Sequence, residues 1–208
     1  MLLDLVLPRE CGGCGAPATR WCPTCACALA VSSDHPVVIT PRLDPGVPVL
    51  SLGRYAGPRR AAILAMKEHG RTDLIGPLSV AVGAAVTRLL DWGIVEAPLT
   101  VVPAPTKWTS ARRRGGDPVT AIARAAAGAH VGVDPALRLR AFTRDSVGLT
   151  PDQRVRNVAG RVLLRHAVPG EVLLLDDVVT TGATGSEAVR VLQTAGSRVA
   201  AMLAIAHA

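Results

Sequence analysis

Two adjacent carboxylates, Asp176 and Asp177, close the apolar run Val172-Leu173-Leu174-Leu175, and the loop Thr180-Thr181-Gly182-Ala183-Thr184 follows shortly after. Paired carboxylates accept hydrogen bonds from a vicinal diol, or hold waters on a hard cation. A loop of small hydroxyl residues that opens a helix offers unpaired backbone N–H groups and partial positive charge to an anion. The apolar run predicts a buried strand of a parallel sheet over 172–176, and ligands of such sheets sit beyond the carboxyl ends of strands. A helix is expected from Thr184 or close to it, with Thr184 and Glu187 in the spacing of a capping box. A phosphate cradle beside a diol clamp fits a ribose 5-phosphate. The competing interpretation is a buried strand followed by an ordinary acidic turn.

A second chemistry lies near the amino terminus. All five cysteines fall between positions 11 and 27, and Cys11-x2-Cys14 and Cys22-x2-Cys25 form two pairs separated by seven residues. Each pair can put two thiolates on one ion through a tight turn, and two pairs complete a tetrahedron. Four thiolates leave no open position, so the ion, zinc, would be structural and would staple a segment too short for its own core. Two disulfides or a redox pair remain the alternative. Cys27 could replace Cys25 as a ligand, but the repeated two-residue spacing favours Cys25 and leaves Cys27 a free thiol.

A second anion site is expected after the short strand Leu99–Val102. Ala104, Pro105, Thr106 and Lys107 follow it, then Arg112, Arg113 and Arg114 before Gly115-Gly116. A strand end, small residues and a cationic cluster suit an anionic group, against the alternative of a solvated arginine patch. Asp117-Pro118 then opens a helix, a capping carboxylate before proline, with Val119, Ile122, Ala123 and Ala126 facing inward.

The elements that must carry these groups are legible between them. Residues 28–48 hold scattered prolines and read as irregular, and Val49 to Tyr55 reads as a strand. One helix opens at Gly57-Pro58 and closes at Gly70, with Ile63 and Lys67 on one face. Another runs from about Ile75 to Trp92 with the stripe Ile75, Leu78, Val82, Val86 and Leu89. Leu137 to Phe142 alternates as a strand, and a loop containing Arg144 and Gly148 follows it. Thr150-Pro151-Asp152-Gln153 has capping-box spacing ahead of a helix carrying Arg154, Arg156 and Asn157. Val162 to Arg165 is a return strand, a helix over 184–195 stops at Gly196, and Val199 to Ile205 is the last strand. Alternating strands and helices predict a mostly parallel α/β sheet.

The bulk numbers narrow the function classes. Hydrophobic residues make up 49% of the 208 residues, enough for a full core, but aromatics are only 2%. Single-stranded nucleic acid would find few rings to stack on. The net charge of +7 favours polyanionic partners, which a sugar phosphate satisfies as well as nucleic acid does. Met1 to Leu7 carries Asp4 and lacks a basic leader, and no run reaches the ~20 apolar residues of a membrane span. A cytoplasmic location is therefore expected, which favours metal over disulfide for the cysteines. The histidines His35, His69, His130, His166 and His207 are scattered without ligand spacing.

The segment 172–184 resembles the phosphoribosyl-diphosphate (PRPP) signature of type I phosphoribosyltransferases. With both ends of the chain considered, the whole resembles the ComF family, which joins a cysteine zinc module to a type I phosphoribosyltransferase-like domain. The resemblance rests on the four paired cysteines, Tyr55-Ala56-Gly57 with Lys67, and Pro103-Ala104-Pro105. Arg114-Gly115, Gly148-Leu149 with Arg154 and Asn157, and the signature itself complete it. It departs from the family at Gly116-Asp117, where an aromatic residue and Asn are common, and at Val147, where Gln is. The division implied is a zinc module over 1–30, a linker over 31–48 and a phosphoribosyltransferase-like domain over 49–208.

The resemblance implies specific roles. Asp176 and Asp177 would take the ribose 2′- and 3′-hydroxyls, and Thr180, Thr181, Gly182, Ala183 and Thr184 the 5-phosphate. Ala104 to Lys107 with Arg112 to Arg114 would take pyrophosphate, and the loop with Arg144, Gly148 and Arg154 would close over the site. The activity implied is Mg²⁺-dependent phosphoribosyl transfer from PRPP to a nitrogenous acceptor, with Asp177 the nearest candidate for a base. Because some family members act in DNA uptake, and the basic balance and a zinc module fit it, the alternative is a non-catalytic protein binding single-stranded DNA or a partner; a homo-oligomer is a separate expectation.

Overall fold

A computed structural model describes residues 10–105, 116–140 and 159–208. Among them are eight strands and five α-helices. The strands are β1 (Val37–Val38), β2 (Val49–Ser51), β3 (Leu99–Pro103), β4 (Val131–Val133), β5 (Leu137–Leu139), β6 (Val162–Leu164), β7 (Glu171–Val179) and β8 (Arg198–His207). The helices are α1 (Pro23–Leu29), α2 (Gly57–His69), α3 (Ile75–Asp91), α4 (Pro118–Ala126) and α5 (Ala183–Thr194).

Six strands form one sheet in the order β1-β2-β8-β7-β3-β4, parallel throughout except for the antiparallel edge strand β1. The hairpin β5–β6 stands apart as a two-stranded antiparallel pair. Strand β7 is the centre of the sheet. Val172, Leu173, Leu174 and Leu175 are fully buried because both of its faces are covered. Leu173 and Leu175 pack with the helices α2, α3 and α4, whose Ile63, Met66, Leu78, Val82, Leu89 and Ile122 share their cluster. Val172 and Leu174 pack on the other face with Ala188, Val189 and Leu192 of α5 and Leu137 and Val162 of the hairpin.

The helix boundaries follow the local signals. Proline stands in the first turn of α2, which ends at Gly70 in the left-handed conformation. Asp117 caps α4 by accepting from the N–H groups of Val119 and Thr120 at 3.4 and 3.3 Å.

Other expectations are corrected. The strand expected over Val49 to Tyr55 ends at Ser51, although the backbone rejoins the sheet where Arg54 bridges His207. Strand β7 is longer than 172–176 and runs through both aspartates to Val179. Strand β4 has no counterpart in the sequence pattern, because three residues with a central glycine carry no period. The stretch expected as irregular linker contributes β1, which pairs with β2. The stretch Thr72–Asp91 is long and apolar enough, by length and composition, to cross a membrane, against the sequence-based expectation of no such run. In the fold, Leu78, Ala81, Val82, Ala85, Val86 and Leu89 of this stretch lie in the core.

Candidate functional site

The order of the strands marks where a ligand can sit. From β3 the chain crosses to β4 on one side, and from β7 it crosses to β8 on the other. The loops after β3 and β7 therefore diverge, and the crevice at such a switch point is where open α/β sheets bind ligands. Register completes the picture. Pro103 pairs with Leu175, and Ala104 N–H still donates to the Leu175 carbonyl at 2.7 Å. Beyond this point β7 continues while β8 alone pairs with it, Asp176 opposite Ala204 and Val179 opposite His207. Asp176 and Asp177 are thus the first residues of β7 past its pairing with β3.

The loop that follows makes a compact turn into α5. Gly182 has φ 82° and forms the helix N-cap, and the helix starts at Ala183, one residue before Thr184. Thr181 Oγ1 accepts from Ala183 N–H at 3.4 Å. Among the described residues no protein carbonyl takes the amides of Thr180, Thr181, Gly182 or Thr184. These are the donors an oxyanion would use. The expected capping box is absent. Glu187 instead accepts from Gly160 N–H at 2.9 Å and pairs with Arg190 at 2.8 Å, so its carboxylate bridges two other elements.

One face of this loop is closed by a segment that no motif singled out. Leu43 N–H donates to the Thr181 carbonyl at 2.9 Å. A Cβ at Gly182 would lie 2.5 Å from the Leu43 carbonyl and 2.9 Å from the Pro41 side chain. The proline-rich stretch that reads as linker therefore braces the anion loop from outside. Thr181, Gly182 and Ala183 are buried, and Thr180 and Thr184 keep contact with solvent.

The carboxylates differ in their surroundings. Lys67 Nζ lies 2.7 Å from Asp177 Oδ2, reaching from the last turn of α2, and the two side chains are 29% and 13% exposed. Burial opposes the charge of Lys67, but the Asp177 carboxylate outweighs it and holds the ammonium above its ordinary value. Asp176 Oδ1 accepts from Asp177 N–H at 2.8 Å. Burial, then the charge of Asp177, pushes Asp176 up to about 7, against the pull of Lys67 and the Asp177 N–H. Among the described residues, Lys67 is the cation that acts on both carboxyl groups of the pair. The signal for Lys67 was visible as a lysine one turn from Ile63 on the inward face, but its partner lies 110 residues away.

The cysteines are brought together. The four Sγ atoms of Cys11, Cys14, Cys22 and Cys25 all lie within 4.8 Å of one another, and Cys14 and Cys22 Sγ are 3.6 Å apart. A tetrahedral ion with metal–sulfur bonds of about 2.3 Å sets sulfurs near this spacing. No disulfide joins them, and exposed Cys27 lies outside the group. Cys11 and Cys22 sulfurs accept from the N–H groups of Cys22 and Cys25 at 3.3 and 3.4 Å. Burial works against ionisation of Cys11, but the N–H groups of Cys22, Gly13 and Cys14 bring its thiol down to about 6. Burial and then the neighbouring thiols push Cys25 far up. Four thiols so crowded ionise together only around a cation, so the cluster could bind a structural metal such as zinc.

This cluster is fastened to the helices α2 and α3 and the turn between them. Arg71, paired with Asp73 at 2.7 Å, donates to the Glu10 carbonyl at 3.1 Å. A Cβ on Gly12 would meet Leu74 at 2.6 Å, and Leu29 of α1 enters the core beside α2 and α3.

Several expected site residues lie outside the described residues: Thr106, Lys107, Arg112, Arg113 and Arg114 of the pyrophosphate loop, and Arg144, Gly148 and Arg154 of the closing loop. So does the helix expected after Thr150. Ala104 and Pro105 are described and buried at the end of β3. Comparison with protein-family models and with curated proteins returns no match.

Proposed function

We propose that the chain is a phosphoribosyltransferase-like protein of type I fold that binds PRPP or ribose 5-phosphate and transfers the phosphoribosyl group to a nitrogenous acceptor. The observation that carries this reading is the juxtaposition of Asp176 and Asp177 with the braced loop Thr180–Thr184 at the switch point between β3 and β7. The loop amides take the 5-phosphate and Asp176 accepts from a ribose hydroxyl. Asp177 shares its carboxylate between Lys67 and the other hydroxyl. In the transfer, the anomeric carbon–oxygen bond to pyrophosphate breaks and a carbon–nitrogen bond forms, the acceptor's proton going to a carboxylate or to solvent. Mg²⁺ arriving with PRPP would neutralise the leaving pyrophosphate. Lys67, through its 2.7 Å contact to Asp177, fixes the clamp before the ligand arrives. Zinc on Cys11, Cys14, Cys22 and Cys25 is structural in this reading, since four thiolates leave it no open position.

Isothermal titration with PRPP and Mg²⁺ tests the proposal. Asp176→Asn with Asp177→Asn should abolish binding while the far-ultraviolet circular dichroism is retained. Unchanged affinity in the folded double variant would sink it. The reading of a non-catalytic protein for single-stranded DNA predicts the reverse: steeply salt-dependent oligonucleotide binding with no response to PRPP.

A further inference from the structure

A group of arginines lies at the carboxyl edge of the sheet on the side of β2 and β8, away from β3. Arg54, Arg59 and Arg60 fall where β2 gives way to α2. Arg59 is half-buried and makes no hydrogen bond or ion pair among the described residues, and its Nε is fully buried without a partner. A guanidinium normally enters a protein interior only with acceptors for its donors. Its head lies against Gly53, where a Cβ would come within 2.6 Å of Nη1, so a glycine keeps room for it.

Among the described residues, Arg54 and Arg60 add positive charge beside it in the chain, and no carboxylate forms an ion pair with Arg59. Arg54 is exposed, and its backbone bridges His207 of β8. Arg60 lies 5.9 Å from the centre of the Tyr55 ring. The first turn of α2 has no acidic residue. On the same side, Lys67 is engaged with Asp177. His207 Nδ1 is 2.9 Å from Ser51 Oγ. Burial and then Arg54 and Arg59 hold this imidazole below its ordinary value, which reports the local positive potential. His207 also pairs with Val179, the residue that leads into the Thr180–Thr184 loop.

We propose that Arg54, Arg59 and Arg60 form a second anion-binding site, which takes a phosphate or carboxylate group of a ligand other than the one held by Thr180–Thr184. The unpartnered guanidinium of Arg59 is the anchor, Arg54 acts with it on His207, and the exposed Arg60 follows it in the chain. The site belongs to β2 and α2 and stands without the phosphoribosyl reading.

The test is residue-resolved. Phenylglyoxal labels arginine side chains, and peptide mass spectrometry reads the rate at Arg59. Inorganic phosphate should slow that labelling in the full chain, and equally in Asp176→Asn/Asp177→Asn. Protection by phosphate marks a small-molecule anion, and protection by oligothymidylate alone marks the backbone phosphate of a strand. Protection by neither overturns the proposal. Arg59→Met should weaken binding of the protecting anion about tenfold, the worth of one charge-assisted contact. Without anion it should be at least as stable as the parent, because a half-buried guanidinium whose Nε is buried without a partner has been removed. A marked loss of stability with no anion present would instead make Arg59 a structural residue.

Discussion

The cysteine cluster and the carboxylate site are built in opposite ways. Every candidate ligand of the first lies between Cys11 and Cys25, within two short turns. The second draws on Pro41 and Leu43, Lys67, Ala104 and the stretch Asp176–Thr184, and only the sheet brings them together. A local site states its ligands through spacing, because chain geometry alone limits where neighbouring thiols can go. A distributed site states the groups that touch the ligand but hides those that hold them. The first should therefore fail as a unit when one ligand is lost, and the second should fail in graded steps.

The largest effect is expected from the cluster. Cys25→Ser should remove the bound metal and destabilise the module by more than about 4 kcal/mol. Elemental mass spectrometry and denaturant unfolding with and without chelator measure both. Retention of metal by Cys25→Ser, with its loss in Cys27→Ser, would reverse the ligand assignment.

Within the carboxylate site, Gly182→Ala combines a left-handed backbone with a clash against the Leu43 carbonyl. A loss of about 2–4 kcal/mol is expected, read by thermal unfolding. An unchanged stability would mean that the 41–43 segment does not brace the loop in solution. Lys67→Met should cost less, about 1–3 kcal/mol, because the pair it breaks is partly open to solvent. The same variant should raise the titration of Asp176, since Lys67 pulls it down. Carboxyl-carbon NMR would detect the move.

The pH dependence is subtler and has a defined sign. Asp176 is raised from 3.8 to about 7. The stability this confers is complete below the ordinary value and is lost as pH climbs through about 7. Affinity for a ribose diol, which needs the ionised form, moves the other way and should rise about tenfold between pH 6 and pH 8. Titration calorimetry at three pH values checks it, and a flat profile would place Asp176 outside the binding contacts. Cys27→Ser should be neutral within about 0.5 kcal/mol, as for an exposed residue outside the cluster.

The comparison also explains what could be foreseen. Helices α2, α3 and α4 were legible because proline, glycine, Asp117 and the apolar stripes act within one or two turns. The buried run of β7 was legible because four consecutive apolar residues have few other fates. The capping box at Thr184 failed because Glu187 found Gly160 and Arg190, contacts that sequence spacing does not encode. Strand β4 is not legible in the sequence because it is too short to show a period.

By itself, the sequence determined the kinds of chemistry on offer: the paired cysteines, the adjacent carboxylates and the hydroxyl–glycine turn, each written in neighbouring residues. Tertiary structure alone decided that β7 outruns β3 at Asp176, that Lys67 meets Asp177, and that Pro41 and Leu43 close over Gly182. These depend on strand order and register, which are set by packing between segments far apart in the chain and leave no local periodicity to detect.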